Sequence, residues 1–140
     1  MNLIPGLEST TAALDAERIR MQVVTQNIAN AHTTKGADGK LYKRQQVIFS
    51  NVMGENLASG LEAPIRKVVV SKIIDDKAGP KLIYNPGHPD AGPEGMVAMP
   101  NINVHSEMVD MMAAMRAFEA NLAAIKTSRE MAAQTLSIGR

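Results

Sequence analysis

Apolar side chains return every seventh residue near the start of the chain, at Leu7, Leu14, Met21 and Ile28. Leu3, Val24 and Ala31 lie on the neighbouring line. This period is that of a narrow helical seam. Thr10 and Glu17 interrupt its second line, so the seam is weak on its own. Asp15 and Arg18 stand one turn apart and add a minor ion pair. After Asn101 the helical pattern returns in cleaner form. Met108, Met111, Met115 and Phe118 are followed by Leu122, Ile125, Ala132 and Leu136 at steps of three and four, with Arg129 the one polar interruption. Such spacing predicts a coiled-coil stripe. Pro100 precedes it, and Asn103 or Ser106 can cap its start. Glu107 and Asp110 fall early while Lys126, Arg129 and Arg140 fall late, the charge order that complements a helix dipole.

Between the two stripes the pattern changes. Residues 32–100 hold most of the glycines and all but one of the prolines, which cut the segment into short pieces. "LYKRQQVIF" alternates only at its ends, "IRKVVVSKII" has the β-branched density of a strand with a buried face, and "KLIY" follows. "NPGHPDAGPEG" contains three prolines and is a long turn region, since neither a helix nor a central strand persists through it. The expectation is an α+β chain in three segments: an N-terminal helix over 1–31, a β-rich module over 32–100 and a C-terminal coiled-coil helix over 101–140. The terminal helices, alike in kind, can pair within the chain as an antiparallel hairpin or between chains. Six of the ten methionines lie between Met96 and Met115, and flexible thioethers suit a surface that packs against several different neighbours or simply fill a core.

Composition removes most other readings. There is no Trp, and two Phe and two Tyr leave the core poor in aromatics. Fifteen basic against fourteen acidic residues give no electrostatic footprint for nucleic acid or an anionic membrane, and the cluster Lys40, Lys43 and Arg44 reads as solvated strand residues. Absence of Cys removes disulfides, thiol catalysis and thiolate metal sites. No apolar run approaches a membrane span, and "MNLIPGLEST" has no basic n-region or continuous apolar h-region of a cleaved signal. His32, His88 and His105 lack two-ligand helical spacing, the acids near them (Asp38, Asp90, Glu107) suit turns and helix starts, and "GADGK" is not a phosphate loop. No enzyme, cofactor or metal site is expected.

The segment "NIANA", Asn27 to Ala31, is where the first helix should stop. Asn27 and Asn30 can satisfy the last helix carbonyls or adopt a left-handed conformation, and Ala29 and Ala31 permit close helix approach. The longer stretch "RMQVVTQNIANAHT" resembles the N-terminal signature of bacterial flagellar rod and hook axial proteins, and "PNINVHSEMVDMMAAMRAFEANLAAIKTSREM" resembles the matching C-terminal one. "GKLYKRQQVIF" and "KLIYNPGHPDAGPEGMVAMPN" are similar to the proximal-rod members. The departure is Phe118, where the family commonly has Tyr. The resemblance implies terminal helices packed between subunits in concentric layers, a middle module facing outward, and "NIANA" as the joint between them. It implies an assembly interface at Leu7, Leu14, Met21, Asn27, Ile28 and Asn30 on the first helix, and at Met108, Met111, Met115, Phe118, Leu122, Ile125 and Leu136 on the second. It further implies a structural subunit of the proximal rod that self-assembles to transmit torque and form part of the export channel. Its partners would be other rod subunits and the flagellar type III export apparatus, its place the periplasmic rod, reached without a cleaved signal. Another rod or hook axial protein, or a cytoplasmic adaptor whose helical hairpin binds a partner helix, are the alternatives.

Overall fold

The computed structural model describes residues 4–36, 38–53 and 66–138. Its elements are α1 (Ile4–Ala29), β1 (Gln45–Met53), β2 (Arg66–Asp75), β3 (Lys81–Tyr84), β4 (Met96–Met99) and α2 (Val104–Ile138). Two long helices flank a strand-bearing middle, the α+β layout expected. Leu3, Ile65 and Arg140, which figured in the sequence reading, lie outside the described residues.

α1 absorbs its polar interruptions locally. The hydroxyls of Thr10, Thr11 and Thr25 donate to the carbonyls of Gly6, Leu7 and Met21, four residues back, at 2.7–2.8 Å, so these side chains need no outside partner. The helix ends as "NIANA" requires, by one of the two routes foreseen. Asn30 sends both its backbone N–H (3.0 Å) and its side-chain Nδ2 (2.9 Å) to the carbonyl of Gln26. No non-glycine residue among those described has a positive φ, so the left-handed route is not taken. At the start of α2 Asn103 is the cap: its Oδ1 accepts the His105 N–H at 3.1 Å and its carbonyl accepts the Glu107 N–H at 3.0 Å. Ser106 falls inside the first turn. The dipole is complemented at this end only, because the last turn of α2 contains no basic residue.

The strands form two separate antiparallel pairs, β1 with β2 and β3 with β4. β1 and β2 run from Gln45↔Asp75 to Met53↔Arg66, with a bulge that leaves Ser71 without an opposite number between Ile48↔Lys72 and Phe49↔Val70. The second hairpin pairs Lys81↔Met99 through Tyr84↔Met96. Its strand β4, "MVAM", was not foreseen from the sequence, being four residues long against a proline-rich turn. At the base of that turn Gly95 has φ 73°, and a Cβ there would stand 2.9 Å from the Tyr84 ring, so both conformation and space demand glycine.

α1 is the shared layer. It packs against α2 on one side and against the β1–β2 hairpin on another. Asn27 bonds to Glu107 and Arg20 pairs with Asp110, so the helices run antiparallel. At the far end of α1, Ser9 Oγ donates to the Arg66 carbonyl at 3.1 Å and Glu8 pairs with Lys67 at 2.6 Å. The buried apolar side chains among the described residues are Ala16, Val23, Val24, Ala31, Val97 and Ala114. The core is thus built of Ala and Val, and all four aromatics stay outside it.

The helices differ in length. At 1.5 Å per residue, 26 residues of α1 reach about 39 Å and 35 residues of α2 about 52 Å. Antiparallel from Asn27 opposite Glu107, the last two turns of α2 extend past Ile4. In the purified monomer we expect amides over 107–118 to exchange slowly and those over 131–137 to exchange at near-peptide rates, read by hydrogen–deuterium exchange. Equal protection along α2 would mean that something other than α1 holds its distal half.

Candidate functional site

Three segments far apart in the chain meet at the end of α1. Asn27, 1% exposed, uses its side-chain amide as a peptide group would. Its Oδ1 accepts the Gln45 N–H at 2.9 Å and its Nδ2 donates to the Gln45 carbonyl at 2.9 Å, so it closes the outer edge of β1. The same Oδ1 accepts the Tyr42 hydroxyl at 3.0 Å, and Nδ2 donates its second proton to Glu107 Oε2 at 3.0 Å. Every donor and acceptor site of the amide is used. Asp in its place would lose both donors and set a second carboxylate against Glu107.

Glu107, also 1% exposed, accepts from Arg44 Nε at 2.7 Å through its other oxygen. Arg44 in turn lies 3.8 Å from Asp110 and 4.0 Å from Asp76, and Asp110 pairs with Arg20 at 3.6 Å. One buried carboxylate is therefore held by an amide from α1 and a guanidinium from the segment before β1. Burial raises the Tyr42 phenol above its ordinary value, with the negative Asp75 and Glu107 adding to the effect, so its hydroxyl remains a donor to Asn27.

A second, more exposed cluster ties the loop after α1 to the 85–95 turn. Thr34 Oγ1 donates to Asp90 Oδ2 at 2.7 Å and Lys35 Nζ pairs with Asp90 Oδ1 at 2.5 Å. The hydrogen bond from Lys35, then that from Thr34, lowers the Asp90 carboxyl below its usual value. His88 Nδ1 accepts the Asp90 N–H at 3.1 Å. Among the described residues no group of three His, Cys, Asp or Glu could hold a metal, and no helix is long and apolar enough to cross a membrane.

The predicted stripe on α2 divides into two lines. Met111, Phe118 and Ile125, seven residues apart, are half-buried and share the covered side with Glu107 and Ala114. Met108, Met115, Leu122 and Leu136 are 51%, 47%, 43% and 77% exposed. Met112, on the outer side with them, is equally open. On α1, Leu7, Leu14, Met21 and Ile28 are half-buried at the border, Asn30 is half-buried and Asn27 is wholly enclosed. The interrupted line of Glu17, Val24 and Ala31 lies deeper than the unbroken one.

A family model described as flagellar basal body rod FlgEFG protein C-terminal matches residues 94–138, which hold β4 and α2. Over 140 residues, all of both chains, this sequence is 36% identical to the flagellar basal-body rod protein FlgC of Salmonella typhimurium (strain LT2). It is 36% identical over 151 residues to FlgC of Bacillus subtilis (strain 168), again covering both chains entirely. FlgC of Borreliella burgdorferi is 36% identical over 152 residues, with 99% of this chain and 98% of the relative covered.

The chain belongs to the FlgC family of flagellar basal-body rod proteins.

FlgC membership makes it a structural rod component that assembles with others of the basal body, as the terminal motifs implied, and not an enzyme. One reading of its charges needs correcting. The local pattern groups Arg44 with Lys40 and Lys43 as a solvated strand residue. Lys40 and Lys43 are exposed, but Arg44 precedes β1 and keeps only 22% of its side chain in water, because Glu107 draws it inward. Glu107, read as an ordinary helix-start acid, is the most secluded charge described.

The network makes a specific demand on Asn27. Asn27→Ala leaves the Gln45 edge and Glu107 short of partners and should cost about 3 kcal/mol. Asn27→Asp, nearly the same shape, should cost at least as much, and Glu107→Ala about 2–3 kcal/mol by leaving an Asn27 amide donor and Arg44 Nε without an acceptor. Urea unfolding of the purified monomer followed by circular dichroism measures all three; an Asn27→Asp protein as stable as wild type would show that the amide donors are dispensable.

Proposed function

We propose that this chain is a subunit of the proximal rod, assembling through α1 and α2 to transmit torque and to line part of the export channel, with residues 32–100 turned outward. The observation that carries the reading is the two-sided character of α2. Its covered line is matched to α1 of the same chain. Its outer line, from Met108 to Leu122, presents large apolar side chains at helical spacing that the other described residues leave about half exposed, and exposed apolar side chains grouped in that way suit an interface. The pairing is thus of both kinds left open by the sequence: within the chain for one line, and between subunits for the other. The predicted interface residues Met108, Met115, Leu122 and Leu136 belong to the outer line, and Leu7, Leu14, Met21 and Ile28 form the border that a neighbouring helix would extend.

Because Leu122 is 43% exposed, Leu122→Asp should perturb the monomer little and should cost most in the assembled seam, where its carboxylate would be unpaired. The variant should leave the cytoplasm in normal amount, fail to complete the rod and accumulate in the periplasm of non-motile cells. Ala124→Asp, exposed on the other flank of α2, should be milder. Fractionation with a motility assay reads the difference; motile Leu122→Asp cells with intact rods would remove α2's outer line from assembly.

Export through the type III apparatus without a cleaved signal requires the address to stay in the chain, and the family resemblance puts it near the N-terminus. Deleting residues 2–15 should hold the protein in the cytoplasm. Recovery of the truncated chain in the periplasm at wild-type level would move the address elsewhere.

A further inference from the structure

The β3–β4 hairpin stands apart from the rest of the secondary structure. Among the described residues no Cα of β3 or β4 lies within 8 Å of a Cα in α1, α2, β1 or β2. Its own hydrogen bonds run on through the turn that joins its strands. The Asn85 N–H donates to the Gly95 carbonyl and the Gly92 N–H to the Met96 carbonyl, both at 2.9 Å, and the Ala91 N–H donates to the His88 carbonyl at 3.0 Å. Residues 81–99 are therefore one internally bonded body, whose polar attachments to its surroundings can be traced one by one. Among the described residues, every hydrogen bond and ion pair that leaves this body ends on a single side chain, Asp90. Its two oxygens take Thr34 and Lys35, both on the loop after α1, and its own N–H donates to His88 Nδ1 at 3.1 Å, which holds it to the turn.

The apolar seat is equally narrow. Val97 is the one buried side chain of residues 81–99, while Leu82, Tyr84 and Met96 stand exposed on the opposite face of the hairpin. Lys35 keeps 63% of its side chain in water, and an ion pair so exposed is readily exchanged for solvent. The two connections to this body also lie side by side. Ala78 and Pro80 before β3, and Pro100 and Asn101 after β4, line one cavity of about 50 Å³ against Tyr42 and Arg44. Asp76 fastens the near end of the first connection, donating its N–H to the Arg44 carbonyl at 2.7 Å, and Gly79 has open space where a side chain would stand. Two adjacent crossings with slack between them define a hinge line.

We propose that residues 81–99 form a rigid flap that hinges at 77–80 and 100–102 and is latched to the loop after α1 by Asp90. With the latch closed, the face that carries Leu82, Tyr84 and Met96 has a fixed angle to the two helices. With it open, that angle changes while the joint at Asn27 and Glu107 stays shut, because none of the joint's bonds passes through the flap. The difference in strength follows from the chemistry. The joint is a buried network that ties Asn27, Tyr42, Arg44 and Glu107 to one another, whereas the flap is held by one carboxylate at the surface and one valine. The latch belongs to the single chain and does not depend on how copies assemble.

The chain has no cysteine, so pairs of spin labels can be placed cleanly on the purified full-length protein. Labels on Arg18→Cys in α1 and Glu94→Cys in the flap, both exposed positions, should give one narrow distance distribution by double electron–electron resonance. Adding Asp90→Ala should broaden that distribution or add a second distance. Thr34→Val with Lys35→Ala, which cuts the same latch from its other side, should do the same. A reference pair, Arg18→Cys with Lys72→Cys on β2, should stay narrow in every background. The amides of Asn85 and Gly92 should keep their hydrogen-exchange protection to within about twofold of wild type, because the flap turns without unfolding. An Asp90→Ala distribution as narrow as wild type, or a wild-type distribution already as broad as the variant's, overturns the latch. Loss of protection at Asn85 and Gly92 overturns the rigid flap, and broadening of the reference pair overturns its independence from the joint.

Discussion

Everything at the joint depends on one carboxamide. Asn27 pairs with the first backbone groups of β1 at Gln45, anchors Tyr42 and donates a hydrogen bond to a carboxylate sealed from water. Without that amide the chain would have to leave the first backbone groups of a strand and half of Glu107 unsatisfied in the same small volume. The core around it is made of Ala and Val and cannot supply large hydrophobic gains from aromatic burial. Specific polar satisfaction therefore does what bulk would do in a richer core. It determines which part of α2 lies against which part of α1, because only Glu107, at the first turn, can answer Asn27.

From that fixed point the molecule loosens outward. α1 is sandwiched between α2 and the β1–β2 hairpin, held at its far end by Glu8 with Lys67 and Ser9 with the Arg66 carbonyl. Exposed ion pairs contribute little, as the Asp15–Arg18 pair at 4.0 Å with both side chains two-thirds in water illustrates. Among the described residues α2 has no second layer behind it. Its outer methionines and Leu122 stay in solvent, which is tolerable for a monomer and favourable for a subunit that gains area on assembly.

Helix periodicity made both long elements legible in the sequence, along with the strand β2 from its β-branched run, the turn after Tyr84 and the joint at "NIANA". Periodicity does not say which of two adjacent lines faces the chain itself. On α1 the cleaner line of Leu7, Leu14, Met21 and Ile28 forms the border, while the line broken by Thr10 and Glu17 goes inside, since Thr10 satisfies itself against Gly6 and Glu17 lines an open cleft between α1 and the β1–β2 hairpin. β4 was illegible because four residues beside a proline-rich turn leave no alternation to read. Arg44 departs from its local reading, and Glu107 is buried at the helix start where it was expected, for a deeper reason. Each is an ordinary surface residue in its local context, and only a contact across 63 positions makes them a buried pair.

That sequence separation bears on how the subunit comes to be ordered. Asn27 and Glu107 are 80 residues apart and Asn27 and Gln45 are 18 apart, so the complete joint requires two loops to be closed on one side chain. A half-formed joint is worse than none, because each partner loses water before it gains its counterpart. The polar network consequently favours an all-or-none joint, while the distal half of α2, with few buried contacts, remains free to order against another surface. A rod subunit needs this division. It must be a definite object at the joint, where the orientation of its helices is set. Under the proposed assembly it is also left incomplete along its helices, where neighbouring subunits would supply the rest of the core.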